Sequence, residues 1–376
     1  MRAGEELALR STLAGLFTTP FDRPLDDHAF NAVALPVFGW QYERNAPYTA
    51  FCDRRSRTPA TVRHWTDIPA VPTAAFKEVA LVSGDASAVD VVFTTSGTTR
   101  GAEKRGVHYV PDLSLYHDAL IPGFSACVLP DGAGLRMLSL MPPAREMPDS
   151  SLAHMIDVVV ARLGGADSAH YASVTDGIDG AGLAAALRAA ERRNERVCLL
   201  GTSSAFVHWL DELQAADVRF RLPPGSRLMD TGGHKGRGRE VEESVLRTMY
   251  GELLGLSASH CVNEYGMTEM LSQFYDSTLR DTVLGRSGVR RKLVPPWVRT
   301  RIVDPETLEP VPDGRAGLLQ HFDPANAGSV LAVQTEDMAI RSGDGFRVLG
   351  RAPGAMPRGC SIAMDLLLEA VELRRR

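Results

Sequence analysis

VVFTTSGTTRGAEK (residues 91–104) opens as an apolar run of strand type and turns into a loop of hydroxyls, glycines and cations. Thr94, Thr95, Ser96, Thr98 and Thr99 supply hydroxyls, and Gly97 and Gly101 let backbone N–H groups approach a ligand. Arg100, Lys104 and Arg105 add positive charge. A polyphosphate needs clustered donors, little side-chain bulk and a cation, and the loop offers all three. It is not a Walker A loop, because no Gly-Lys pair follows Gly97. Taken alone, the stretch reads equally well as a Gly/Thr-rich surface turn.

Outward from this loop, short apolar runs alternate with longer helical patterns. Runs at 89–94, 135–141, 196–201, 226–233 and 258–266 end in glycine, proline or hydroxyl residues, and helical spacing fills 151–163, 180–193, 204–214 and 239–255. Strand followed by helix, repeated, predicts an α/β fold with parallel sheets covered by helices. Ligands of such sheets lie beyond the carboxyl ends of the strands, where these turns fall. From about residue 294 the texture shifts to proline-rich turns and shorter strands. This divides the chain into an α/β core (1–293), a small β-rich subdomain (294–348) and a short C-terminal tail with a helix (349–376).

Composition narrows the function classes. With 41 Lys and Arg against 46 Asp and Glu and a pI near 6.1, there is no basic footprint for nucleic acid or an anionic membrane. No stretch is apolar enough to span a bilayer, and Glu5 and Glu6 interrupt any signal-peptide core, so a cytoplasmic protein is expected. Five cysteines without a CxxC pair argue against a disulfide framework or a zinc knuckle. Cys52, Cys127, Cys198 and Cys261 sit in apolar or strand contexts and read as core.

A second constellation, NEYGMTE (263–269), places an aromatic, a glycine, a hydroxyl and a carboxylate close together after a strand-like run. By residue chemistry Tyr265 could stack on a purine, Thr268 bond a phosphate and Glu269 hold Mg²⁺, or the stretch could simply be a strand end capping a helix. The two segments together resemble the adenylate-forming superfamily of acyl-CoA synthetases, adenylation domains and luciferases. The closer resemblance is to the acyl-protein synthetase branch typified by the LuxE fatty-acid ligases of bacterial luminescence. Blocks at 142–156, 199–213, 230–238 and 349–370 look like that branch.

The resemblance implies a large adenylate-forming domain and a site assigned residue by residue. Thr95, Ser96, Gly97, Thr98 and Thr99 would wrap the phosphates of ATP, Tyr265 and Gly266 would flank the adenine, and Met267 would belong to the same ATP-binding set. Thr268 would touch the α-phosphate and Glu269 would bind Mg²⁺. Asp337 would grip the ribose hydroxyls, with Glu336 a one-residue rival, and Arg351 would be its neighbour. The implied reaction joins a carboxylic acid to AMP with loss of pyrophosphate, a task of charge neutralisation and alignment. The superfamily usually adds a C-terminal domain of roughly one hundred residues bearing a catalytic lysine. Only 25 residues follow Arg351 here, which implies a truncated C-terminal domain. Lys104 and Lys235 are left as candidate cations.

PRGCSIAMDLLLEAVELRRR reads as a turn and then a helix, with Cys360 at its positive end beside Arg358, where a thiol pKa is lowered. In the acyl-protein synthetases a cysteine near the carboxyl end carries the acyl group as a thioester, and Cys360 matches that position. A partner protein, a reductase or a carrier, would then take the acyl group. Two alternatives stay open: a ligase passing the acyl group directly to an amine or CoA, and a nucleotide-binding subunit without turnover. Ser150, Ser151 and His154 suggest a hydrolase, but no GxSxG turn presents a serine, and PDSSLAHM reads as a capped helix start. His208 and Trp209 read as packing residues.

Overall fold

The computed structural model describes residues 2–95, 104–232, 241–352 and 358–375. Ser96, Gly97, Thr98, Thr99 and Lys235 lie outside the described residues. The fold is α/β, built on one large mixed sheet. Strands Ala169–His170, Arg136–Ser139, Val197–Thr202, Arg227–Thr231 and Cys261–Tyr265 lie side by side in parallel. Beyond Cys261–Tyr265 the sheet continues antiparallel through Phe274–Asp276, Lys292–Leu293, Gly345–Arg351, Ala332–Ser342, Gly317–Phe322 and Arg299–Val303.

The parallel strands are buried on both faces, as their nearly continuous apolar sequence requires. Alternate residues serve alternate layers. Leu138, Leu199 and Leu228 pack with helices Gly180–Arg193, Ser203–Ala215 and Glu243–Leu254, supplying Leu187, Phe206, Trp209 and Leu253. Met137, Leu200, Met229 and Val262 face the other way, toward Phe124 of helix Leu113–Val128 and Ile156 of helix Ser151–Leu163. The Ser150 hydroxyl caps the latter helix by accepting the Ala153 N–H at 3.2 Å. Trp209 is packed as expected, whereas His208 is exposed and lies 3.4 Å from Glu212.

The strand expected at 89–94 does not join the large sheet. Val91–Thr94 pairs antiparallel with Val107–Val110 in a separate two-stranded hairpin. The two strands run antiparallel, whereas a parallel pair would need a crossover connection, usually a helix. Helices Asp27–Arg44 and Leu113–Val128 were obscured in the sequence by internal Pro36 and Pro122, a penalty that tertiary packing outweighs here. The terminal helix, Arg358–Arg375, lies on helix Ala46–Arg54, with Arg54 and Glu369 2.5 Å apart.

Strand Arg227–Thr231 is anchored at its start by a buried guanidinium. Arg227 donates two bonds of 2.8 Å to the Asp131 carboxylate and others to the carbonyls of Val128 and Gly225. This partner holds the Asp131 carboxyl down at about 2. Removing it would strand a buried charge. Asp131→Ala is expected to lower the unfolding free energy by about 3 kcal/mol, measured by urea denaturation. In the wild type the Asp131 contribution should be intact above the ordinary carboxylate range and fall away as pH drops from about 4 toward 2.

Candidate active site

Two segments far apart in sequence meet at the neck of the hairpin of Val91–Thr94 and Val107–Val110. The Thr95 N–H donates to the Gly106 carbonyl at 2.9 Å, and the Gly106 N–H donates back to the Thr95 hydroxyl at 2.9 Å. A Cβ on Gly106 would sit 2.9 Å from Thr95 Cγ2 and 3.6 Å from Glu269 Oε1. Glycine is therefore required where the loop closes against the Glu269 carboxylate. Two pairs further along the hairpin, His108 Nδ1–H donates to the Thr268 carbonyl at 2.6 Å. The ring is buried edge-on against Phe76, and burial pushes its pKa down to about 4, so it is a neutral donor at physiological pH. The loop neck, Thr268 and Glu269 thus form one block.

A second clamp fixes the hairpin from behind. The Thr94 hydroxyl donates to Asp149 Oδ2 at 2.6 Å, and Arg105 reaches the same oxygen at 2.9 Å and the Thr95 carbonyl at 2.6 Å. The Thr94 hydroxyl, followed by Arg105, holds the Asp149 carboxyl below its usual range against the opposing effect of burial. Arg105 therefore braces the loop. Among the described residues the His154 ring bonds to no serine hydroxyl, and its Nε2 lies 2.9 Å from that of His117.

At the other end of the site the Tyr265 hydroxyl donates to Asp337 Oδ2 at 2.8 Å. Asp337 lies directly across from Arg351 on the neighbouring strand, and the guanidinium is 4.0 Å from Asp337 and 3.9 Å from Glu336, so it serves both acids. The Tyr265 ring sits among Phe274, His321 and Phe346, and Gly266 beside it is exposed. Met267 is half-buried. The structure thus gathers Thr95, Tyr265, Gly266, Thr268, Glu269, Asp337 and Arg351. Lys104 is not among them: its ammonium lies at the surface, 3.3 Å from Glu78.

Cys360 joins the Asp337 end, in a state opposite to the one its sequence position suggests. Its Sγ lies 3.9 Å from the Thr335 carbonyl, and the Thr335 hydroxyl accepts the Asp337 N–H at 3.1 Å. The thiol is enclosed by Val303, Leu318, Leu308 and Met338. Burial, with the Glu336 charge adding to it, pushes its pKa up to about 12. Helix-terminus stabilisation is worth about 0.3–1 kcal/mol, less than one pKa unit, so desolvation wins. The Arg358 side chain lies outside the described residues.

The donor set suits magnesium. Mg²⁺ takes oxygen ligands and commonly needs only one or two carboxylates besides substrate phosphates and waters. Glu269 at the loop neck supplies one, with the Thr95 hydroxyl beside it. His108 and Asp149 escaped the sequence reading, because a histidine inside a strand and an aspartate before a helix carry no signal of long-range pairing.

A family model described as acyl-protein synthetase, LuxE, matches residues 178–368, just over half of the chain. The long-chain-fatty-acid–luciferin-component ligase of Vibrio harveyi is 21% identical over 357 residues, covering 88% of this chain and 85% of that protein. The ligase of the same description from Aliivibrio fischeri is 23% identical over 348 residues, covering 89% and 87%. Among solved structures, an open conformation of 2-hydroxyisobutyryl-CoA ligase with 2-HIB-AMP and CoA superposes with a TM-score of 0.65 at 13% identity, over 86% of this chain and 69% of that one. That likeness is one of fold.

His108→Phe keeps the ring volume and removes the donor, so it should raise KM for Mg-ATP about tenfold or more, from the loss of one buried hydrogen bond and the orphaned Thr268 carbonyl. His108→Asn, which restores a donor at the Nδ1 position, should recover most of the loss. Steady-state kinetics with thermal melts as a folding control provide the check.

Proposed function

Since the chain belongs to the LuxE acyl-protein synthetase family, we infer that it activates a carboxylic acid with ATP and passes the acyl group on. The reaction is ATP-dependent and AMP-forming. A carboxylate oxygen attacks the α-phosphorus, the bond to the leaving pyrophosphate breaks, and acyl-AMP results. The observation that carries this reading is the convergence of Thr95, Gly106 and Glu269 with the His108-bound Thr268.

We propose the following roles. Thr95 and the loop residues after it hold the phosphates, and Asp337 binds the ribose, its orientation fixed by Tyr265. Thr268 contacts the α-phosphate. Glu269 holds Mg²⁺, which when bound lowers the repulsion between the phosphates and the incoming carboxylate. Lys104 and Lys235 supply further positive charge, Lys104 after leaving Glu78. A cytoplasmic setting fits these substrates.

Cys360 is proposed as the first acyl acceptor. Its thiolate attacks the acyl carbonyl, the carbon–oxygen bond to AMP breaks, and the thioester then goes to a nucleophile of a partner protein such as a reductase or carrier. Its proximity to Asp337 through Thr335 supports this role. Its burial means that acylation requires the thiol to come out from beneath Leu308. The same burial favours a second reading, in which the adenylate is delivered directly to an amine or CoA and Cys360 only packs.

Incubation with ATP, Mg²⁺ and a panel of carboxylic acids should give acid-dependent pyrophosphate exchange. Intact-mass analysis should then show one acyl adduct per chain, absent from Cys360→Ser, while exchange by that variant stays within about twofold. Exchange without an adduct on the wild type would reject the thioester step and support direct delivery.

A further inference from the structure

A groove of about 820 Å³ runs between the terminal helix Arg358–Arg375, the segment 65–70 and the turn 304–310. Its volume falls within the range of small-molecule sites, about 300–1,000 Å³. None of its lining residues belongs to the nucleotide site. Trp65, Ile68, Leu308, Ile362 and Leu366 give it apolar walls, and Arg55, Arg57 and Arg301 line it with positive charge.

Two of these guanidiniums have no carboxylate. Arg301 is half-buried and donates to the Thr66 carbonyl at 3.0 Å, and it forms no ion pair among the described residues. Arg55 is half-buried over the Phe51 ring, 4.6 Å from its centroid. Its buried Nε has no hydrogen-bond partner, and among the described residues no acid pairs with it. Burial lowers the pKa of both side chains, and at Arg301 the charges of Glu309 and Asp67 offset this only in part. Arg57 differs, since Asp67 lies 3.3 Å from it. Elsewhere in the fold such arginines are answered: Arg227 by Asp131, Arg280 by Asp22, Arg290 by Asp276 and Arg291 by Asp281. Residues 353–357, which lie outside the described residues and precede Gly359 in the chain, contain no acid.

The three cations share one short segment. Arg301 sits on the Thr66 carbonyl, Arg57 on the Asp67 carboxylate, and the charge of Arg57 acts on Arg55. The remaining acids of the groove, Glu306 and Glu309, are exposed on the outer turn, where solvent screens them. A half-buried cation without a counter-ion is costly, and rules of this kind are broken chiefly at functional sites. The missing partner is an anion. A guanidinium fork fits carboxylate and phosphate alike, but two unanswered charges match a phosphate monoester, which carries about −1.5 to −2 near pH 7. The apolar walls suit an organic body on that phosphate.

We propose that this groove is a binding site for a phosphate monoester with an apolar body, its phosphate held by the forks of Arg55 and Arg301. The site goes beyond the adenylating reading and does not depend on it. Leu308 both lines the groove and covers Cys360, so a bound ester lies one side chain away from the thiol.

The test is isothermal titration calorimetry on the full chain with phenyl phosphate, benzoate and inorganic phosphate, at saturating Mg-ATP so that the nucleotide site is filled. Phenyl phosphate should bind once per chain, about tenfold or more tighter than either other probe. Arg55→Met and Arg301→Met should each weaken it by about tenfold or more, the loss of one charge-assisted contact. Arg55→Lys, which keeps the charge and loses the fork, should recover only part of that loss. Because Arg55 is unanswered in the empty protein, Arg55→Met should melt no earlier than wild type, whereas a structural arginine would be missed. Absence of binding at millimolar phenyl phosphate overturns the proposal. So does equal affinity for benzoate or inorganic phosphate, an affinity unchanged within about twofold in either Met variant, or an earlier melt of Arg55→Met. None of these results bears on acid activation, which pyrophosphate exchange reads separately.

Discussion

A short hydrogen bond, from His108 to the Thr268 carbonyl, ties the hairpin of Val91–Thr94 and Val107–Val110 to the turn that carries Glu269. The hairpin stands outside the main sheet, so its place depends on contacts of this kind. Gly106 works with it: lacking a side chain, it lets the loop neck close onto Glu269. Asp149 braces the arrangement from the far side through Thr94 and Arg105. Because the His108 ring is desolvated and neutral, the link does not switch off within the physiological pH range.

The sheet then divides its charges by face. Around Asp276 the acids meet cations and serve stability and register. On the other face Glu264 is buried and accepts a hydrogen bond from the Thr231 hydroxyl, with no ion pair to it among the described residues. The same two-residue periodicity that sends Leu199 and Leu200 into different cores separates these rows, so one strand contributes to scaffold and site at once. Cys360 sits beyond both, sealed under Leu308. Leu308 adopts a left-handed backbone (φ 59°), and Gly359 admits it closely enough that a Cβ there would fall 2.7 Å from its Cγ. The strained turn and the covered thiol belong to one contact, which acyl transfer through Cys360 would have to open.

Much of the fold was legible because its signals are local. Helices Ser151–Leu163 and Gly180–Arg193 follow apolar spacing and caps, and the parallel strands follow their unbroken apolar runs. Helices containing Pro36 and Pro122 were hidden, since residue preference and packing disagree there. The hairpin at Val91–Thr94 was misplaced because an apolar run does not say which partner it pairs with. In the site, residue identities in TTSGTTRGAEK and NEYGMTE point to phosphate and metal chemistry. Their supports, His108 and Asp149, are tertiary facts. The Cys360 environment was misread for a like reason: helix position is visible in sequence, and desolvation by residues on distant strands is not.

The central claim is that one nucleotide is gripped by both segments at once. Hydrogen exchange measured by mass spectrometry with and without Mg-ATP tests it most directly. The account predicts that peptides covering 91–110 and 261–270 gain protection together, with the same nucleotide midpoint. Protection of one segment without the other, or of neither at saturating Mg-ATP, would contradict it.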